Sequence, residues 1–246
     1  MNYSIILPTL NENGHIIDLI NSIIKNFTNT KNNYEIIVVD DNSNDGTIST
    51  IKKYIIKNKK IKLFIRKNKK KNLAKSINLG IIKSKYENII WMDADFQHPP
   101  RYIRTIFKYV KKYDVVIFSR FLKKSRRYFD GGKLDKEANE NQSILFNNVC
   151  KKIFYNDITD YTSGYIYVKK EKIKNLTLNG FYGEYFLNLI LYCKKNNFKI
   201  LEIPFNEKFR KTGSSKTIGG SSIRYMIICT NYVISIIKNL YLKLFT

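Results

Sequence analysis

Residues 89–100 read IIWMDADFQHPP. Two carboxylates, Asp93 and Asp95, close an apolar run, and a glutamine, a histidine and two prolines follow. In an extended strand residues i and i+2 point the same way. That predicts a shared face for Asp93 and Asp95, joined by Gln97 if the backbone stays extended. Two like charges at that spacing repel unless something cationic lies between or beside them. Mg²⁺ is commonly held by one or two carboxylates together with substrate phosphates and waters. The pair therefore suits a metal carrying a diphosphate better than a permanent protein cage. It also suits a helix terminus, because Asp95 stands just before Pro99 and a helical run, where an acid stabilises the dipole. The triplet alone fits metal binding and capping equally.

Three other segments carry polar chemistry. DDNSNDGT (40–47) can make a turn with Asp45 as N-cap, and its paired acids can also accept hydrogen bonds from a nucleobase or ribose. Glu12 in PTLNEN (8–13) has the same two readings. FRKTGSSK (209–216) sets Arg210 and Lys216 around a Gly-Ser-Ser turn, where cations and backbone N–H groups can hold phosphate oxygens or form an ordinary basic loop.

These segments need a scaffold, and the hydrophobic periodicity supplies one. Short apolar runs predict strands at Ser4–Leu7, Glu35–Val39, Lys62–Ile65, Asn88–Met92 and Val115–Phe118. Amphipathic stretches between them predict helices at Ile16–Phe27, Thr47–Lys57, Leu73–Lys83 and Arg101–Lys111. Strand and helix in alternation imply an α/β fold, with parallel strands and helices on both faces. Ligands in such sheets bind outside the carboxyl ends of the strands. PTLNEN, DDNSNDGT, DADFQHPP and SRFLKKSRRYFDGG all follow strands, whereas opposite loops such as TNTKNN carry no defined chemistry.

Beyond Phe118 the alternation stops. Residues Leu122–Glu140 read as a charged, glycine-containing mobile loop, followed by a helix over Asn141–Phe154 and a strand through GYIYV. A helix over Tyr185–Lys195, the strand FKILEIPF and a long apolar helix from Ile223 complete the chain. The expected division is one domain over 1–218 and a C-terminal amphipathic helix over 219–246.

Composition narrows the partners. The chain has 246 residues, 43% of them hydrophobic, with 18 Tyr and 15 Phe, which excludes a disordered polyelectrolyte. Its formal net charge is +24, but only 8 of the 44 basic residues are Arg and they are dispersed. No nucleic-acid-binding motif accompanies them, so no nucleic-acid partner is expected. Part of the charge suits an anionic membrane surface, where a juxtamembrane Lys or Arg is worth about 1 kcal/mol. Three cysteines without metal spacing read as reduced thiols in a cytosolic protein. The N-terminus enters a strand at once and does not read as a signal peptide. The longest uncharged run, Tyr225–Ile237, falls short of the ~20 residues of a spanning helix.

In order and spacing, ILPTLNEN, YEIIVVDDNSNDGT, WMDADFQHPP, VVIFSRF, DYTSGYIYVKKE and FRKTGSSK resemble the family-2 glycosyltransferases of GT-A fold, most of all the dolichyl-phosphate mannose synthase group. The resemblance implies a Rossmann-like, mainly parallel sheet and a nucleotide-sugar donor. Pro8, Glu12, Val39 and Asp41 would line the nucleotide pocket, and Leu10 stands where the family often has Tyr, so that ring contact is lost. Asp93, Ala94 and Asp95 would form the family's acid-x-acid segment. Asp95 and Gln97 would hold Mg²⁺ or Mn²⁺, with Asp93 near the metal, the donor sugar and the ribose. Arg120 would meet a donor or acceptor phosphate, and Arg210 and Lys216 would close over the diphosphate or guide the acceptor. Asp93, Asp95, Arg120 and Arg210 are the implied catalytic set. Ser143, Asn147 and Asp160 also fall on family-like positions. Two departures stand out: Asn72 replaces a usual Gly, and Asn139 a usual Arg, for which Arg126 and Arg127 could substitute.

The implied reaction is inverting transfer of one hexose to a polyprenyl phosphate. A sugar hydroxyl acceptor would need a carboxylate base, whereas a lipid phosphate is already an anion. No such base is conspicuous in the second-half loops; Asp130, Asp135, Asp160 and Glu184 are the acids that could serve. Transfer to a glycan hydroxyl and a silent nucleotide-sugar binder are the other readings. In the C-terminal helix Arg224, Asn231, Ser235 and Lys238 fall on one stripe and leave a wide apolar face. This suits either a membrane interface or packing on the protein itself. The expected location is peripheral to the cytoplasmic face of a membrane.

Overall fold

Side-chain alternation on strands buried from both sides decides the architecture. The computed structural model describes residues 1–67, 70–125, 133–207 and 222–245. Its strands are β1 (Asn2–Thr9), β2 (Asn33–Asp40), β3 (Ile61–Ile65), β4 (Asn88–Trp91), β5 (Val115–Ser119), β6 (Ile166–Lys169) and β7 (Ile200–Pro204). Its helices are α1 (Ile16–Ile24), α2 (Thr47–Ile55), α3 (Leu73–Lys83), α4 (Ile103–Ile106), α5 (Lys133–Ile153), α6 (Glu184–Lys195) and α7 (Ser222–Phe245). The strands form one sheet in the order β3-β2-β1-β4-β6-β5-β7. Among these described strands only β6 runs antiparallel, to both β4 and β5.

Each strand feeds two cores. Ile6, Ile37, Val39, Trp91 and Ile117 point to the face covered by α3, α5 and α6. Ile5, Leu7, Ile36, Val38, Met92 and Phe118 point to the face covered by α1 and α4. Helices thus cover both faces, which is why these strands read as continuous apolar runs. The connections β1-α1-β2-α2-β3 build outward from β1 on one side, and β4 starts again on its other side. The strand order therefore reverses between β1 and β4, which places a crevice at their carboxyl ends. Pro8 helps to open it. Met92 N donates to Ile6 O at 3.4 Å, so alternate β1 residues turn their N–H towards β4. The β1–β4 pairing ends at Ile6 and Trp91, so the missing N–H of Pro8 breaks no ladder bond.

Two expectations need correction. The helix expected over Arg101–Lys111 is a 3-10 turn at Pro100–Tyr102, the single turn α4, and further hydrogen-bonded turns. Its β-branched and aromatic residues are weak helix formers. The loop expected to run to Glu140 ends earlier, because α5 begins at Lys133. KLDKEANENQ is charged but rich in helix formers, and charge alone is no evidence against a helix. Along α7 the structure decides which residues meet the protein, and part of the polar stripe does. Ser235 is buried, and both its hydroxyl and the Asn239 amide donate to Asn188 Oδ1 of α6, at 2.8 and 2.7 Å. Ile236 and Leu240 pack inward, while Ile227, Val233, Ile234, Ile237 and Tyr241 are exposed.

α3 packs closely on β1. A Cβ at Gly80 would overlap Ile6 Cγ2. Overpacking of this kind costs about 1–3 kcal/mol, more than the ~1 kcal/mol that Ala gains over Gly in a helix. Gly80→Ala is expected to lower the urea midpoint with an unchanged slope; an equal or higher midpoint would show that α3 can move off β1.

Candidate functional site

The loops after β1 and β2 are tied to each other on one side of the crevice. Asn11 N donates to Ser43 Oγ at 2.8 Å, and Asn44 N returns a bond to Asn11 Oδ1 at 3.0 Å. Glu12 N donates to Thr47 Oγ1 at 2.9 Å and Asn13 N to Asp45 Oδ2 at 3.0 Å. Asn11 and Asn42 take positive φ values of 53° and 63°, which Asn tolerates better than most residues. Gly46, at φ 95°, is the N-cap of α2, and Asp45 stands one residue earlier, accepting from Thr47 N at 3.0 Å. Pro8 and Val39, both buried, are register partners on the strands below. Leu10 sits half-buried above them.

Asp40 and Asp41 serve this turn in different ways. Asp40, fully buried, accepts from Ser43 N at 2.7 Å and Ser43 Oγ at 2.6 Å. Asp41 accepts from Arg66 Nη1 and from Asn72 N, each at 2.6 Å. Arg66 Nη1 also donates to Asn72 O at 3.0 Å and Ser76 Oγ at 3.1 Å, and Arg66 Nη2 is buried without a partner among the described residues. Asn72 needs no glycine freedom, since its φ is −159°, and its side chain caps α3 by accepting from Lys75 N.

The acid pair departs from its expected geometry. β4 ends at Trp91, and the chain bends at Phe96, whose φ is +68°. Asp93 and Asp95 therefore do not share an extended face: the Asp93 side chain is 43% exposed, whereas Asp95 is 3% exposed. Asp95 Oδ1 accepts from Gln97 N at 2.9 Å, closing its own turn rather than capping the helix, whose N-cap is Pro99. Both histidines of the chain grip this bend. His15 Nε2 lies 3.0 Å from Ala94 O and 3.0 Å from Glu12 Oε2, two acceptors, so Nε2 carries the hydrogen. His98 Nδ1 accepts from Asp93 N at 2.9 Å, which puts the hydrogen of the neutral ring on Nε2. Sequence reasoning passed over both, although two His in 246 residues was a signal of rarity.

A second cluster closes the far side of the sheet edge. Arg120, just after β5, donates from Nε to Asp160 Oδ2 and from Nη2 to Asp160 Oδ1, each at 2.9 Å, and from Nη2 to Thr162 Oγ1 at 2.7 Å. Burial opposes both charges, but the pairing prevails: it holds the Asp160 carboxyl below its ordinary range and the guanidinium above its own. Asn147 fixes the same turn, accepting from Tyr161 N at 2.6 Å, and Glu202 accepts from Thr159 N at 2.8 Å and Asp160 N at 3.0 Å. Ser143 contributes its carbonyl to Asn147 Nδ2 at 2.7 Å. Glu184 is occupied by Phe181 N and Tyr182 N, at 2.7 and 3.0 Å. Glu207, not singled out from the sequence, lies 3.8 Å from Arg120 Nη1. Arg210, Lys216, Arg126, Arg127 and Asp130 lie outside the described residues.

Among the described residues no three His, Cys, Asp or Glu side chains gather as a metal cage. The donors at the bend are two carboxylates and an amide, a set that fits Mg²⁺ or Mn²⁺ only together with phosphate oxygens and water.

His98 is stacked on Tyr165 and sealed by Phe205. Burial lowers its pKa from 6.5 to about 4, against the pull of Asp95. A folded pKa below the unfolded one gives stability that is complete above the unfolded value and lost as pH falls towards the folded one. Between pH 6.5 and 4 the metal-free chain should lose on the order of 3 kcal/mol relative to a His98→Gln chain. Urea denaturation at stepped pH measures the difference; parallel curves would mean that His98 titrates as it does in water.

The sequence pattern of glycosyl transferase family 2 matches residues 4–177. Over 237 residues the chain is 30% identical to the dolichol-phosphate mannosyltransferase of Pyrococcus furiosus, covering 92% of this chain and 62% of that protein. It thus spans less than two thirds of that relative. Identity to the dolichol-phosphate mannosyltransferase of Mycosarcoma maydis is 24%, covering 91% of this chain and 76% of the relative. The fold is that of glucosyl-3-phosphoglycerate synthase from Mycobacterium tuberculosis, solved with Mn²⁺, UDP and phosphoglyceric acid, with a TM-score of 0.69 at 13% identity over 97% of this chain and 78% of that one. The family match runs from β1 past β6, through the laced loops, the Asp93–Gln97 bend and the Arg120 cluster: the chain belongs to glycosyl transferase family 2.

Proposed function

We propose that the chain transfers a single hexose, with inversion, from a nucleotide-diphosphate sugar to a polyprenyl or dolichyl phosphate. One observation carries the reading. The Asp93–Gln97 bend is locked at the β1/β4 crevice beside the laced PTLNEN and DDNSNDGT loops, in a chain whose named relatives are dolichol-phosphate mannosyltransferases. Pro8, Leu10, Glu12, Val39 and Asp41 would hold the nucleotide, with Ala94 and Asp93 towards the ribose and sugar. A divalent cation held by Asp95 and Gln97, with Asp93, would neutralise the diphosphate as it leaves. An acceptor phosphate oxygen forms the new bond to the anomeric carbon, and the bond to the diphosphate breaks with its electron pair. Arg120, Arg210 and Lys216 would offset the repulsion between two phosphate-bearing substrates.

The acceptor assignment draws support from two acids that could have served as a base. Asp160 is committed to Arg120 and held ionised, and Glu184 is committed to two backbone N–H groups. The helix beyond residue 218 supports a lipid acceptor from another direction. Its inner face is fixed to α6, and its outer face shows Ile227, Val233, Ile234, Ile237 and Tyr241 beside exposed Lys238. An apolar face with flanking cations suits the plane of an anionic membrane surface, here the cytoplasmic one. Among the described residues no helix is long and apolar enough to cross a membrane.

Two experiments test the reading. Purified chain with Mg²⁺ or Mn²⁺, polyprenyl phosphate in detergent and a panel of labelled nucleotide sugars should yield label in the organic phase from one donor. Asp95→Ala should reduce that transfer about 100-fold or more and abolish metal-dependent donor binding by calorimetry. Donor binding without any lipid-linked product would instead favour a glycan hydroxyl as acceptor. Separately, Ile234→Glu/Ile237→Glu should release the chain from vesicles containing anionic lipid in a sedimentation assay, with an unchanged circular dichroism spectrum. Equal binding by both chains would remove α7 as the membrane contact.

A further inference from the structure

α7 turns an apolar face outward, but its inner face carries a tyrosine towards Arg120. Tyr232, Ser235, Ile236 and Asn239 share that inner face, since residues three, four and seven apart align on a helix. Ser235 and Asn239 are bonded to Asn188 of α6, and Ile236 packs against the core that α3, α5 and α6 cover. The Tyr232 ring meets Phe146 of α5 edge-on, with centroids 4.7 Å apart, a preferred aromatic geometry. Its hydroxyl lies over Gly183, the N-cap of α6, so closely that a Cβ there would overlap Tyr232 Oη. The backbone at Gly183, with φ −87° and ψ −11°, is open to any residue. Room for the tyrosine, not conformation, is what requires glycine at this position.

Both contacts stand next to residues that shape the site. Phe146 precedes Asn147, which accepts from Tyr161 N at 2.6 Å and donates to Thr162 Oγ1 at 3.3 Å. Thr162 Oγ1 in turn accepts from Arg120 Nη2 at 2.7 Å. Gly183 precedes Glu184, which holds the N–H groups of Phe181 and Tyr182. Tyr232 is thus wedged between α5, which supports the turn that binds Arg120, and the first turn of α6. Its electrostatic surroundings agree. Burial and the charge of Glu184 raise its phenol pKa, Arg120 opposes them, and Asp160 adds a smaller push upward. The hydroxyl therefore keeps its proton and lies within Coulomb reach of the Arg120–Asp160 pair.

We propose that Tyr232 is a positioning residue of the acceptor side: it sets the spacing of α5 and the first turn of α6 around Arg120, and so makes α7 part of the site that receives the acceptor phosphate. The proposal rests on the readings of Arg120 as a phosphate contact and of a lipid phosphate as acceptor. One helix then has two tasks. Its outer face addresses the lipid surface, and its inner face shapes the place where the phosphate of that lipid reacts. In the sheet, β4 and β6 separate the Arg120 strand from the strands that carry the nucleotide loops. A disturbance at Tyr232 should therefore fall on the acceptor rather than on the nucleotide.

The test uses size complementarity in the full chain. Gly183→Ala should push the hydroxyl aside. Gly183→Ala/Tyr232→Phe should recover, because without Oη the nearest ring atom, Cζ, lies 3.5 Å from the added Cβ, an ordinary contact. Gly183→Ala and Tyr232→Leu should each weaken calorimetric binding of geranyl monophosphate, a soluble isoprenyl phosphate, and raise the KM for polyprenyl phosphate, by about three- to tenfold. The double variant should return to within about twofold of the natural chain. Binding of GDP and UDP with Mg²⁺, sedimentation with vesicles and the circular dichroism spectrum should not change. Should Gly183→Ala fail to fold, Tyr232→Leu carries the same comparison. A purely structural contact predicts a lower urea midpoint with unchanged geranyl monophosphate binding and unchanged KM; that result overturns the proposal and leaves the acceptor reading standing. A loss that the double variant does not recover, or one that falls on GDP and UDP, overturns it as well. If the natural chain neither binds geranyl monophosphate nor transfers sugar to polyprenyl phosphate, the acceptor reading itself falls and takes the proposal with it.

Discussion

A buried ion pair, Arg120 with Asp160, is where the second half of this fold closes on the first. The pair is held by a bidentate fork and a backbone N–H. Two charges so far from water are tolerated only when both are fully paired, and removing one partner typically costs about 3–5 kcal/mol. The sequence answers with supports from separate elements. Asn147 on α5 and Glu202 on β7 both hold the 159–161 turn that presents Asp160, and burial raises the pKa of Glu202 above its ordinary value even as it does so. β6 must enter the sheet antiparallel between two strands of the other sense. The ion pair pins the loop that makes this reversal to the end of β5. Arg120 thus takes its direction from several elements at once, which gives a charged side chain a fixed position at a site edge.

The first half reaches rigidity by other means. Its loops follow parallel strands, whose last backbone groups find no partner in the sheet, and side chains supply the partners. Ser43, Asp45, Thr47 and Asn11 satisfy N–H groups across the gap between two loops. Asp41 orders the start of α3 through Asn72 while Arg66 locks it from beneath. Phe96 is the costly element, a bulky residue in the left-handed region, where residues other than Gly and Asn pay roughly 1–2 kcal/mol. Two histidine contacts, to Ala94 O and Asp93 N, hold the chain there. Strain placed beside an acid pair and held from two sides is what a preorganised site requires.

Much of this was legible in the residues, for physical reasons that also explain the misses. Strands such as those through Ile36–Val39 and Val115–Phe118 announced themselves because burial on both faces leaves no polar residue in them. The grouping of chemistry on one edge followed from parallel topology. The side-by-side placement of Asp93 and Asp95 did not survive, because a two-residue period holds only while the strand lasts, and it ends at Trp91. The beginning of α5, residues 133–140, was hidden by its charge, while the helix from Asn141 onward was legible. The roles of Asn147, Asp160, Glu202 and Glu207 were not visible, because each depends on a partner 14 or more positions away, between elements whose adjacency is set by the sheet order. The amphipathic character of α7 was legible, but not which of its residues meet the protein. Ser235 and Asn239 find a side-chain amide on α6, and the pattern alone cannot distinguish that partner from water.

Among the described residues, the charge around the Asp93–Gln97 bend and Arg120 runs against the sign of the chain. A formal +24 suggests a molecule that attracts phosphate everywhere, yet Asp93, Asp95, Asp160 and Glu207 surround the working edge and Arg120 is already paired. A lysine more than about 8 Å away through solvent is largely screened at physiological salt, whereas Lys71, whose Nζ donates to Asp41 O and Asn42 O, acts locally. On the proposed reading, a nucleotide diphosphate entering among these carboxylates would need its own local compensation. A divalent cation shared between the carboxylates and the phosphates would supply it for the donor. On the same reading, compensation for a second phosphate would come from protein cations, and Arg120 enters that balance already paired with Asp160. Local pairing, rather than the net charge of the chain, would thus decide which anions this edge can receive.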